Sequence, residues 1–480
     1  MNYRMLSHLL STILLIEAAL LLIPTVVSLI YGEPFWPFLV TIGILVAVSL
    51  PFAIPKPKDT RIYAKEGFVC VSASWILMSA FGALPFVFSG AIPNYINALF
   101  ETVSGFTTTG ASILSVIETL PKGILFWRSL THWVGGMGVL VFMLAILPTT
   151  GGNAIHLLRA EVPGPTKGKI VPKLKQTALI LYGIYILLTL IMIGALLCTG
   201  MPLYDGVVNS LATAGTGGFS VLNNSIAGYA SPAAEWIIAL FMFLFGVNFN
   251  IYFFILIGKA RDVIRSEEFR VYAGLTFGSV LAIILTTVRL FDRFGDCVRA
   301  AFFQVTSIMS TTGFTTVDFN EWPTFSKSVL LLLMLVGACA GSTAGGLKIS
   351  RVMILFKNII KEFRHLLHPH SVNIVRIDND VVREETTKAA NNYLSIYFLL
   401  IVVSTLLLAV DGFDLETNLT SAITCINNIG PGLGAIVGPA GNFSAFSWFA
   451  KLLLSLDMLF GRLEIMPMII LFSPSTWRRK

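Results

Sequence analysis

Four short runs in the sequence combine glycine with threonine, serine or asparagine, and their oxygen atoms could hold a cation. The runs cover residues 104–112, 214–220, 309–315 and 427–434. Aligning them places Gly110, Gly218, Gly313 and Gly430 in register, at spacings of 108, 95 and 117 residues. Hydroxyl and carbonyl oxygens without carboxylates suit a weakly held monovalent cation, because a divalent cation would need carboxylate ligands. The runs therefore predict a repeated cation-binding loop.

The segment before each run indicates how these loops are positioned. Roughly 10 moderately apolar residues precede each run, enough for a helix of ~15 Å, half of the ~30 Å hydrocarbon core. Irregular backbone is tolerated at that depth only where protein buries it or where it lines a water-filled cavity. A single run is typical of an ordinary extracellular loop, but four in register favour loops that meet around one central path. The negative C-terminal ends of the half-helices would favour a cation there.

The composition indicates a membrane protein. Of the 480 residues, 55% are hydrophobic and 12% are charged, whereas soluble domains have about 25% charged residues. This excludes a soluble multidomain enzyme and a nucleic-acid-binding protein. Ten apolar segments approach or exceed the ~20 residues that span a bilayer. They are residues 9–30, 38–54, 68–88, 124–147, 177–197, 236–257, 275–290, 328–340, 394–410 and 449–472.

Charge and the internal repeat predict orientation and architecture. Lys and Arg cluster in the loops after the second, fourth, sixth and eighth segments, so we expect these loops and both termini to be cytoplasmic. The expected fold is an all-α polytopic membrane protein with four pseudo-fourfold repeats of helix, pore helix and helix around one central pore. The pore repeats would be residues 61–160, 161–265, 266–375 and 376–480, preceded by two extra transmembrane helices in residues 1–60.

Six motifs resemble the Trk/Ktr/HKT superfamily of potassium transporters, and within it the Trk-type (TrkH/TrkG) uptake subunits. They are SGFTTTGAS at 104–112, FWRSLTHWVGGMG at 126–138, TTGFTT at 311–316, GSTAGGLKISR at 341–351, NNIGPGLG at 427–434 and FGRLEI at 460–465. The resemblance covers essentially the whole chain, including the two extra N-terminal helices. It implies a homodimer in the bacterial inner membrane, with one pore in each protomer.

The resemblance also implies a selectivity filter, in which backbone carbonyls replace the hydration shell of K⁺. The residues that match the filter are Thr108, Thr109, Gly110, Thr216, Gly217, Gly218, Thr311, Thr312, Gly313, Asn428, Ile429 and Gly430. Gly110 keeps the K⁺-type pattern, since some plant relatives that carry Na⁺ have serine there. Gly215 departs from the pattern, in which serine or threonine is expected, and this extra glycine predicts a more flexible second loop.

Gate candidates lie below the expected filter. Four glycines in residues 337–346 interrupt the eighth segment, each about 1 kcal/mol less favourable in a helix than alanine. The resemblance favours an intramembrane gate, and close helix packing through small residues is the alternative. Lys348 is interpreted as a cytoplasmic anchor rather than a closing charge. The resemblance places Arg462 facing the pore, where a guanidinium ~8 Å from K⁺ would repel it by about 2 kcal/mol at a dielectric of ~20. The candidates are Gly341, Ser342, Thr343, Gly345, Gly346, Lys348 and Arg462.

These features predict K⁺ uptake through a gated, K⁺-selective, channel-like pore. The resemblance implies a TrkA-type cytosolic nucleotide-binding ring as regulatory partner, docked on basic segments that include residues 159–175 and 348–364. Symport of K⁺ with H⁺ or Na⁺ is the alternative, although no pair of mid-span carboxylates suggests a proton relay. The sequence has no P-loop, dinucleotide fingerprint or nucleophile elbow. We therefore expect neither enzymatic activity nor a nucleotide bound by this chain, and contact with membrane lipid but not with nucleic acid.

Overall fold

A computed structural model describes residues 1–55, 57, 59, 63–138, 174–371, 373–378 and 380–477. Most of the described residues are helical, and very few of them lie in strands. The helices of the first half are α1 (Tyr3–Leu20), α2 (Leu22–Ile30), α3 (Trp36–Ala53), α4 (Ala64–Gly82), α5 (Leu84–Phe88), α6 (Tyr95–Phe106), α7 (Lys122–Gly136), α8 (Leu174–Cys198), α9 (Leu203–Gly215), α10 (Pro232–Phe245) and α11 (Phe249–Leu256). Residues 139–147 of the fourth apolar segment and 159–173 of a predicted docking segment lie outside the described residues.

The second half continues the same alternation of long and short helices. Its elements are α12 (Ala260–Arg265), α13 (Glu267–Thr287), α14 (Phe294–Met309), α15 (Thr324–Val336), α16 (Ile349–Leu367), β1 (Arg376–Ile377), β2 (Asp380–Val381), α17 (Glu384–Leu408), α18 (Leu415–Ile426), α19 (Trp448–Arg462), α20 (Met466–Phe472) and α21 (Pro474–Trp477). Strands β1 and β2 form a small antiparallel hairpin. Short 3₁₀ turns occupy Ser225–Tyr229, Val288–Leu290, Phe319–Glu321, Ala409–Asp411 and Phe443–Ala445.

The long helices agree in part with the ten predicted segments. Six described helical segments are long and apolar enough to cross a membrane, and they coincide with the first, second, third, fifth, seventh and ninth predictions. The prediction of continuous segments at 236–257 and 449–472 is wrong. The first is bent by 92° between α10 and α11, where Asn248 caps the new helix. The second breaks after Arg462, and Pro467 lies in the first turn of α20, where its missing backbone N–H costs no hydrogen bond.

Four short helices, α6, α9, α14 and α18, form the centre of the molecule. Each packs against the long helix before it, the helix after it, and the helix that follows the preceding short helix. Thus α9 packs on α8, α10 and α7, and α14 packs on α13, α15 and α10. The same rule brings the last unit back to the first, because α6 packs on α19. This cyclic order closes the four units into a ring, with α1–α3 outside it.

Candidate ion pathway

The four short helices present their C-terminal ends to the glycine runs. Side-chain caps fix the start of two of them: Asn94 accepts from backbone N–H groups of α6, and Asp414 accepts from the backbone N–H of Thr417 in α18. The Thr417 hydroxyl also donates to Asp414, at 2.5 Å. These hydrogen bonds, the side-chain one first, lower the pKa of Asp414, which lies outside the spanning segments. The carbonyl ends of the four helices lead directly into the loops.

The loops share one unusual backbone conformation. Thr108, Thr216, Thr311 and Asn428 have φ of 56°, 57°, 57° and 54°. The left-handed region is rare for residues with a Cβ, and above all for threonine, which is β-branched. Two residues later, Gly110, Gly218, Gly313 and Gly430 have φ of 79°, 77°, 83° and 100°. Such strain persists only where the surroundings impose it, and it is concentrated at functional sites.

Hydrogen bonds hold each loop to the helix before it in the same way. The backbone N–H of the residue before each glycine donates to the carbonyl five residues earlier, at 2.8–2.9 Å. These pairs are Thr109 to Ser104, Gly217 to Ala212, Thr312 to Ser307 and Ile429 to Thr424. The register that the sequence alignment predicts is therefore also the register of the hydrogen bonds.

The glycines and the neighbouring carbonyls close a ring between the loops. A methyl group on Gly110 would lie 2.0 Å from the carbonyl oxygen of Gly217. A methyl group on Gly218 would lie 2.1 Å from the carbonyl oxygen of Thr312, and one on Gly313 would lie 2.0 Å from that of Ile429. A methyl group on Gly430 would lie 2.8 Å from the carbonyl oxygen of Thr109. Each glycine thus touches the residue before the next glycine, and the fourth contact returns to the first loop. We call these eight residues the glycine ring.

The side chains around the glycine ring offer neutral oxygen atoms. The Thr108 hydroxyl and the Asn428 amide oxygen are buried and have no hydrogen-bond partner among the described residues. The Asn428 amide nitrogen donates to the Thr109 hydroxyl at 3.0 Å and so ties the fourth loop to the first. No group of three or more His, Cys, Asp or Glu side chains placed to hold a metal occurs in the described part of the chain. The donor set fits a weakly held monovalent cation better than a divalent one.

Gly215, which departs from the family pattern, has a packing reason for being glycine. A methyl group there would lie 2.2 Å from the carbonyl oxygen of His132, and one on Gly217 would lie 2.2 Å from the His132 ring. His132 Nδ1 is 2.7 Å from the carbonyl oxygen of Gly105, and its ring lies 4.1 Å from that of Phe219, centroid to centroid. His132 thus fills the space between the first short helix and the second loop. The second loop is tightly packed, and the expectation that Gly215 makes it more flexible is wrong.

A buried ion pair supports the first two loops from behind. Arg128 on α7 donates through Nε to Glu101 on α6 at 2.7 Å, and both side chains are buried. Its other nitrogens donate to the Ser220 carbonyl at 3.0 Å and to the Ser112 hydroxyl at 3.1 Å. The guanidinium also lies over the Phe219 ring, 3.6 Å from its centroid. Because Ser112 and Ser220 each follow a ring glycine by two residues, the pair connects the two loops.

The segment between α15 and α16, residues 337–348, lies directly against the glycine ring. The backbone N–H of Gly345 donates to the Thr311 hydroxyl at 2.7 Å. A methyl group on Gly345 would lie 2.5 Å from the carbonyl oxygen of Asn427 and 2.9 Å from the Asn428 side chain. The segment therefore touches the third and fourth loops from the side on which their short helices end. We call residues 337–348 the inner segment.

Other contacts hold the inner segment to the bend between α10 and α11. The Gly341 carbonyl accepts from Phe249 at 3.0 Å, and the Thr343 hydroxyl donates to the Phe245 carbonyl at 3.2 Å. Within the segment, the Ser342 hydroxyl donates to the Cys339 carbonyl at 2.6 Å. Gly346, at φ 78°, would place a methyl group 3.2 Å from the Cα of Gly337, so the two ends of the segment meet.

Lys348 is the last residue of the inner segment. It adopts a positive φ of 74°, its side chain is buried, and its ammonium donates to the Ala344 carbonyl. A buried ammonium bound to the segment itself does not match the interpretation of Lys348 as a surface anchor, which is therefore wrong.

Arg462 joins the inner segment to α7. Its Nη1 donates to the Thr343 carbonyl at 2.8 Å, and its Nη2 donates to the carbonyls of Gly135 and Gly136 at 2.5 and 2.8 Å. Arg462 is buried and is the last residue of α19. Glu464, two residues on, forms an ion pair with Arg351 of α16. The guanidinium thus connects α19, α7 of the first unit and the inner segment.

Several of these residues escaped the sequence reasoning. Arg128 stands in a recognised motif without a visible role, and its partner Glu101 lies 27 residues earlier in a different element. Asn427, whose amide contacts the Tyr397 hydroxyl at 2.8 and 3.0 Å, belongs to a recognised motif without a visible role. The polar residues of FWRSLTHWVGGMG were the available signal, since Arg128 and His132 are unusual within an apolar helix.

Comparisons with known proteins agree with this architecture. A family model described as TrkH, a cation transport protein, matches residues 39–479. The Trk system potassium uptake protein TrkH of Escherichia coli is 37% identical over the full length of both chains, and that of Salmonella typhimurium is 36% identical over the same extent. The crystal structure of the potassium transporter TrkH from Vibrio parahaemolyticus superimposes with a TM-score of 0.89 at 31% identity, and each chain is covered completely.

Proposed function

Because this chain belongs to the TrkH family of cation transport proteins, we propose that it carries K⁺ into the cell through the glycine ring. The chain is a multi-pass membrane transporter and not an enzyme. Its relatives are named potassium uptake proteins. The observation that carries the proposal is the closed ring in which each of four glycines touches a carbonyl of the next loop.

We propose that the ring acts as a K⁺-selective filter. Carbonyls of the ring and of the residues beside it would replace the water that K⁺ loses on entry. The strained backbone and the hydrogen bonds to the short helices would hold these oxygens at a spacing that suits K⁺. The proposed ligands are those predicted from the sequence: Thr108, Thr109, Gly110, Thr216, Gly217, Gly218, Thr311, Thr312, Gly313, Asn428, Ile429 and Gly430. Thr311 would contribute only its carbonyl while its hydroxyl is bound to Gly345.

We propose that the inner segment is the gate. It contacts two of the four loops, and Arg462 and Lys348 both hold its carbonyls. The positive charge of Arg462 would add an electrostatic barrier of about 2 kcal/mol to a cation ~8 Å away. Opening would require Gly345 to leave Thr311 and Arg462 to release Thr343, with the hinge in Gly341, Ser342 and Gly346.

Coupled symport with H⁺ or Na⁺ is the second candidate, and one observation favours it. Glu17 on α1 and Asp457 on α19 are buried carboxyl groups with oxygens that have no hydrogen-bond partner among the described residues. Buried carboxyl groups within spanning segments are costly and are often part of a proton path. Neither touches the glycine ring through a described hydrogen bond, so the passive pore is the first candidate.

The arrangement in the membrane follows the same proposal. Residues 1–60 would lie outside four pore units, 61–160, 161–265, 266–375 and 376–480, with both termini in the cytoplasm of a bacterium and the chain in its inner membrane. The resemblance supports a homodimer and a cytosolic TrkA-type nucleotide-binding ring that controls the gate, with no nucleotide bound by this chain itself.

The reversal potential of the purified chain in liposomes tests the proposal. Under a K⁺/Na⁺ gradient at two pH values, a passive K⁺-selective pore gives a value near the K⁺ Nernst potential that does not change with pH. A dependence on pH or on one-sided Na⁺ would favour coupled transport instead.

A matched pair of substitutions tests whether the ring carries the ion. Gly313→Asp places a carboxylate in the ring and should abolish K⁺ uptake and growth at low K⁺. Gly412→Asp is the control, because Gly412 also has a positive φ, of 80°, but a methyl group added there would meet no atom within 4 Å. Equal K⁺ uptake by both variants would contradict a path through the ring.

A further inference from the structure

A basic cavity lies between the end of α16 and the hairpin of β1 and β2. Its volume is about 240 Å³, and four cations line it with no acidic residue among the lining side chains. The lining residues are Lys357, Ile360, Lys361, Arg364, Asn373, Ile374, Val375 and Arg376. The cavity is smaller than the ~300–1,000 Å³ typical of sites for drug-sized ligands, so it suits a head group better than a nucleotide.

The charges of the cavity are only partly neutralised by the protein. Lys357 donates to Glu267 of α13 at 2.5 Å and to the carbonyl of Arg376 at 2.8 Å. Glu384 of α17 interacts electrostatically with Lys361, but it is itself paired with Lys388. Arg364 and Arg376 are exposed. Because the cations that line the cavity outnumber the carboxylates that neutralise them, the cavity attracts an anion.

Compensation of the helix dipole does not explain the whole cluster. Cations near the C-terminal end of α16 would stabilise that helix by themselves. Arg376 and Asn373, however, come from the chain beyond the helix and face the same cavity. Two separate elements therefore contribute donors to one concave site.

An apolar stripe runs along α16 beside the cavity. Its side chains are exposed and recur every three or four residues, so they share one face of the helix. They are Phe356, Ile359, Ile360, Phe363, Leu366 and Leu367. An exposed apolar face beside long basic side chains is suited to lipid, because the face can contact acyl chains while the charged ends reach the head groups.

The start of α16 places these groups at a definite depth. The helix begins at Ile349, directly after the inner segment, and this step rests on the proposed function, which puts that segment below the filter near mid-membrane. At 1.5 Å per residue, 10 residues cover ~15 Å, which is half of the hydrocarbon thickness. Phe356 and Ile359 then lie among the acyl chains, and Lys361 and Arg364 reach the level of the lipid head groups.

We propose that this cavity binds the phosphate of an anionic phospholipid of the cytoplasmic leaflet, whose acyl chains lie along the first part of the apolar stripe, at Phe356, Ile359 and Ile360. Basic pockets at the cytoplasmic ends of spanning helices are suited to such head groups. A docked protein ring could use the same charges, but it would leave the exposed apolar face beside them without an explanation. Of the two basic segments expected to dock a regulatory ring, 348–364 is thereby assigned to lipid.

Native mass spectrometry of the full chain with added phosphatidylglycerol or phosphatidylcholine tests the proposal. We expect the unsubstituted chain to retain phosphatidylglycerol preferentially. Lys361→Gln/Arg364→Gln should weaken that binding by up to about 30-fold, since each of the two cations contributes about 1 kcal/mol near an anionic surface. Arg261→Gln/Arg265→Gln is the matched control, because it removes the same charge from exposed positions outside the cavity.

The other outcomes each overturn the proposal. Equal weakening by both double variants would mean unspecific attraction of lipid to basic surface. Unchanged binding in the cavity variant would exclude the cavity. Displacement of the lipid by millimolar inorganic phosphate would identify a site for a small anion. A change of oligomeric state without a change of lipid binding would identify a subunit contact. Lipid retention needs no ion flux, so a failed filter proposal would leave this result unaffected.

Discussion

Arg462 connects three parts of the molecule through one guanidinium, and its removal should loosen all three. Arg462→Gln loses the charge and cannot reach the carbonyls of Thr343, Gly135 and Gly136 together. We expect a higher basal cation flux in liposomes, by up to about 30-fold if the whole barrier of about 2 kcal/mol is lost. Uptake of a radioactive K⁺ analogue measures it.

The control for this substitution is Arg299→Gln. Arg299 of α14 also forms ion pairs, one with Glu235 of α10 and one with Asp296 of its own helix, but it is partly exposed. Its loss should leave basal flux unchanged. A flux in folded Arg462→Gln equal to that of the control would show that the guanidinium does not hold the gate.

Glu101 should affect both stability and selectivity, because it neutralises a buried arginine behind the first two loops. Glu101→Gln leaves the Arg128 guanidinium buried without its carboxylate, and breaking a buried pair in this way costs about 3–5 kcal/mol. We expect a lower unfolding temperature and a reversal potential shifted away from the K⁺ value.

The control is Glu235→Gln, which breaks a partly exposed pair and should cost only about 0–1 kcal/mol of stability. A destabilised variant with unchanged selectivity would limit the pair to a structural role.

At the level of single residues, the sequence indicated which residues belong to the site better than it indicated which atoms they contact. The glycines in register were visible because a repeat is a property of the sequence itself. The roles of Gly215 and Lys348 were misjudged, since they depend on His132 and Ala344, and only the fold shows that these atoms are in contact. Arg462 was recognised as intramembrane, but its three carbonyl partners lie 119 to 327 residues away.

Among the elements, the inner segment is positioned by a glycine that has no room for a side chain. A methyl group on Gly345 would overlap the carbonyl of Asn427 at 2.5 Å, so Gly345→Ala should push the segment away from the ring and raise basal flux. Gly345 does not have a positive φ, so the substitution adds no backbone strain. Gly274→Ala in α13 is the control, since a methyl group there meets no atom within 4 Å. Low flux in both variants, with normal folding, would refute this mechanism of closure.

The cap of α18 predicts a pH dependence of stability. Asp414→Ala removes the cap of a short helix that leads to the fourth loop, at a cost of about 0.5–2 kcal/mol. Hydrogen bonds from the hydroxyl and the backbone N–H of Thr417 lower the pKa of Asp414. Its contribution is therefore present above the unfolded-state pKa of about 3.9 and is lost as the pH falls through the lower folded value. The unfolding temperature of the alanine variant should be lower than that of the parent at neutral pH and should converge on it in strong acid.

Asp414→Asn separates the cap from the charge. Asparagine caps helices about as well as aspartate, so this variant should keep most of the stability at neutral pH but lose its acid dependence. If the alanine variant remained as far below the parent in strong acid as at neutral pH, the ionised carboxylate would not be the source of the effect.

The breaks in the helices could be predicted from the sequence only in part. The interruption after α15 was predictable because four glycines fall together there. The bend after α10 and the break after α19 carry weaker signals, a capping Asn248 and a Pro467, within continuous apolar sequence. Apolar periodicity reports burial, and a bent helix is buried as well as a straight one.

For the whole molecule, the cyclic order of the four units and the meeting of their loops were expected from the repeat, but the residue contacts that close the glycine ring were not. Spacing along the chain contains no information about the distance between loops that lie about 100 residues apart in sequence. Closure depends on the packing of each short helix against the helix that follows the preceding one. The ring is thus a property of all four units together, and a change in one loop should disturb its neighbour.

The ring is not equally tight on all sides, and a series of alanine substitutions should reveal the difference. A methyl group would lie 2.0, 2.1 and 2.0 Å from the next carbonyl at Gly110, Gly218 and Gly313, but 2.8 Å away at Gly430. We therefore expect Gly430→Ala to retain the most K⁺ flux in liposomes that contain equal amounts of folded protein. Gly412→Ala reports the cost of a positive φ alone, since a methyl group at Gly412 would have no neighbouring atom within 4 Å. Equal loss at all four ring positions would mean that backbone strain, rather than contact between the loops, determines the geometry of the ring.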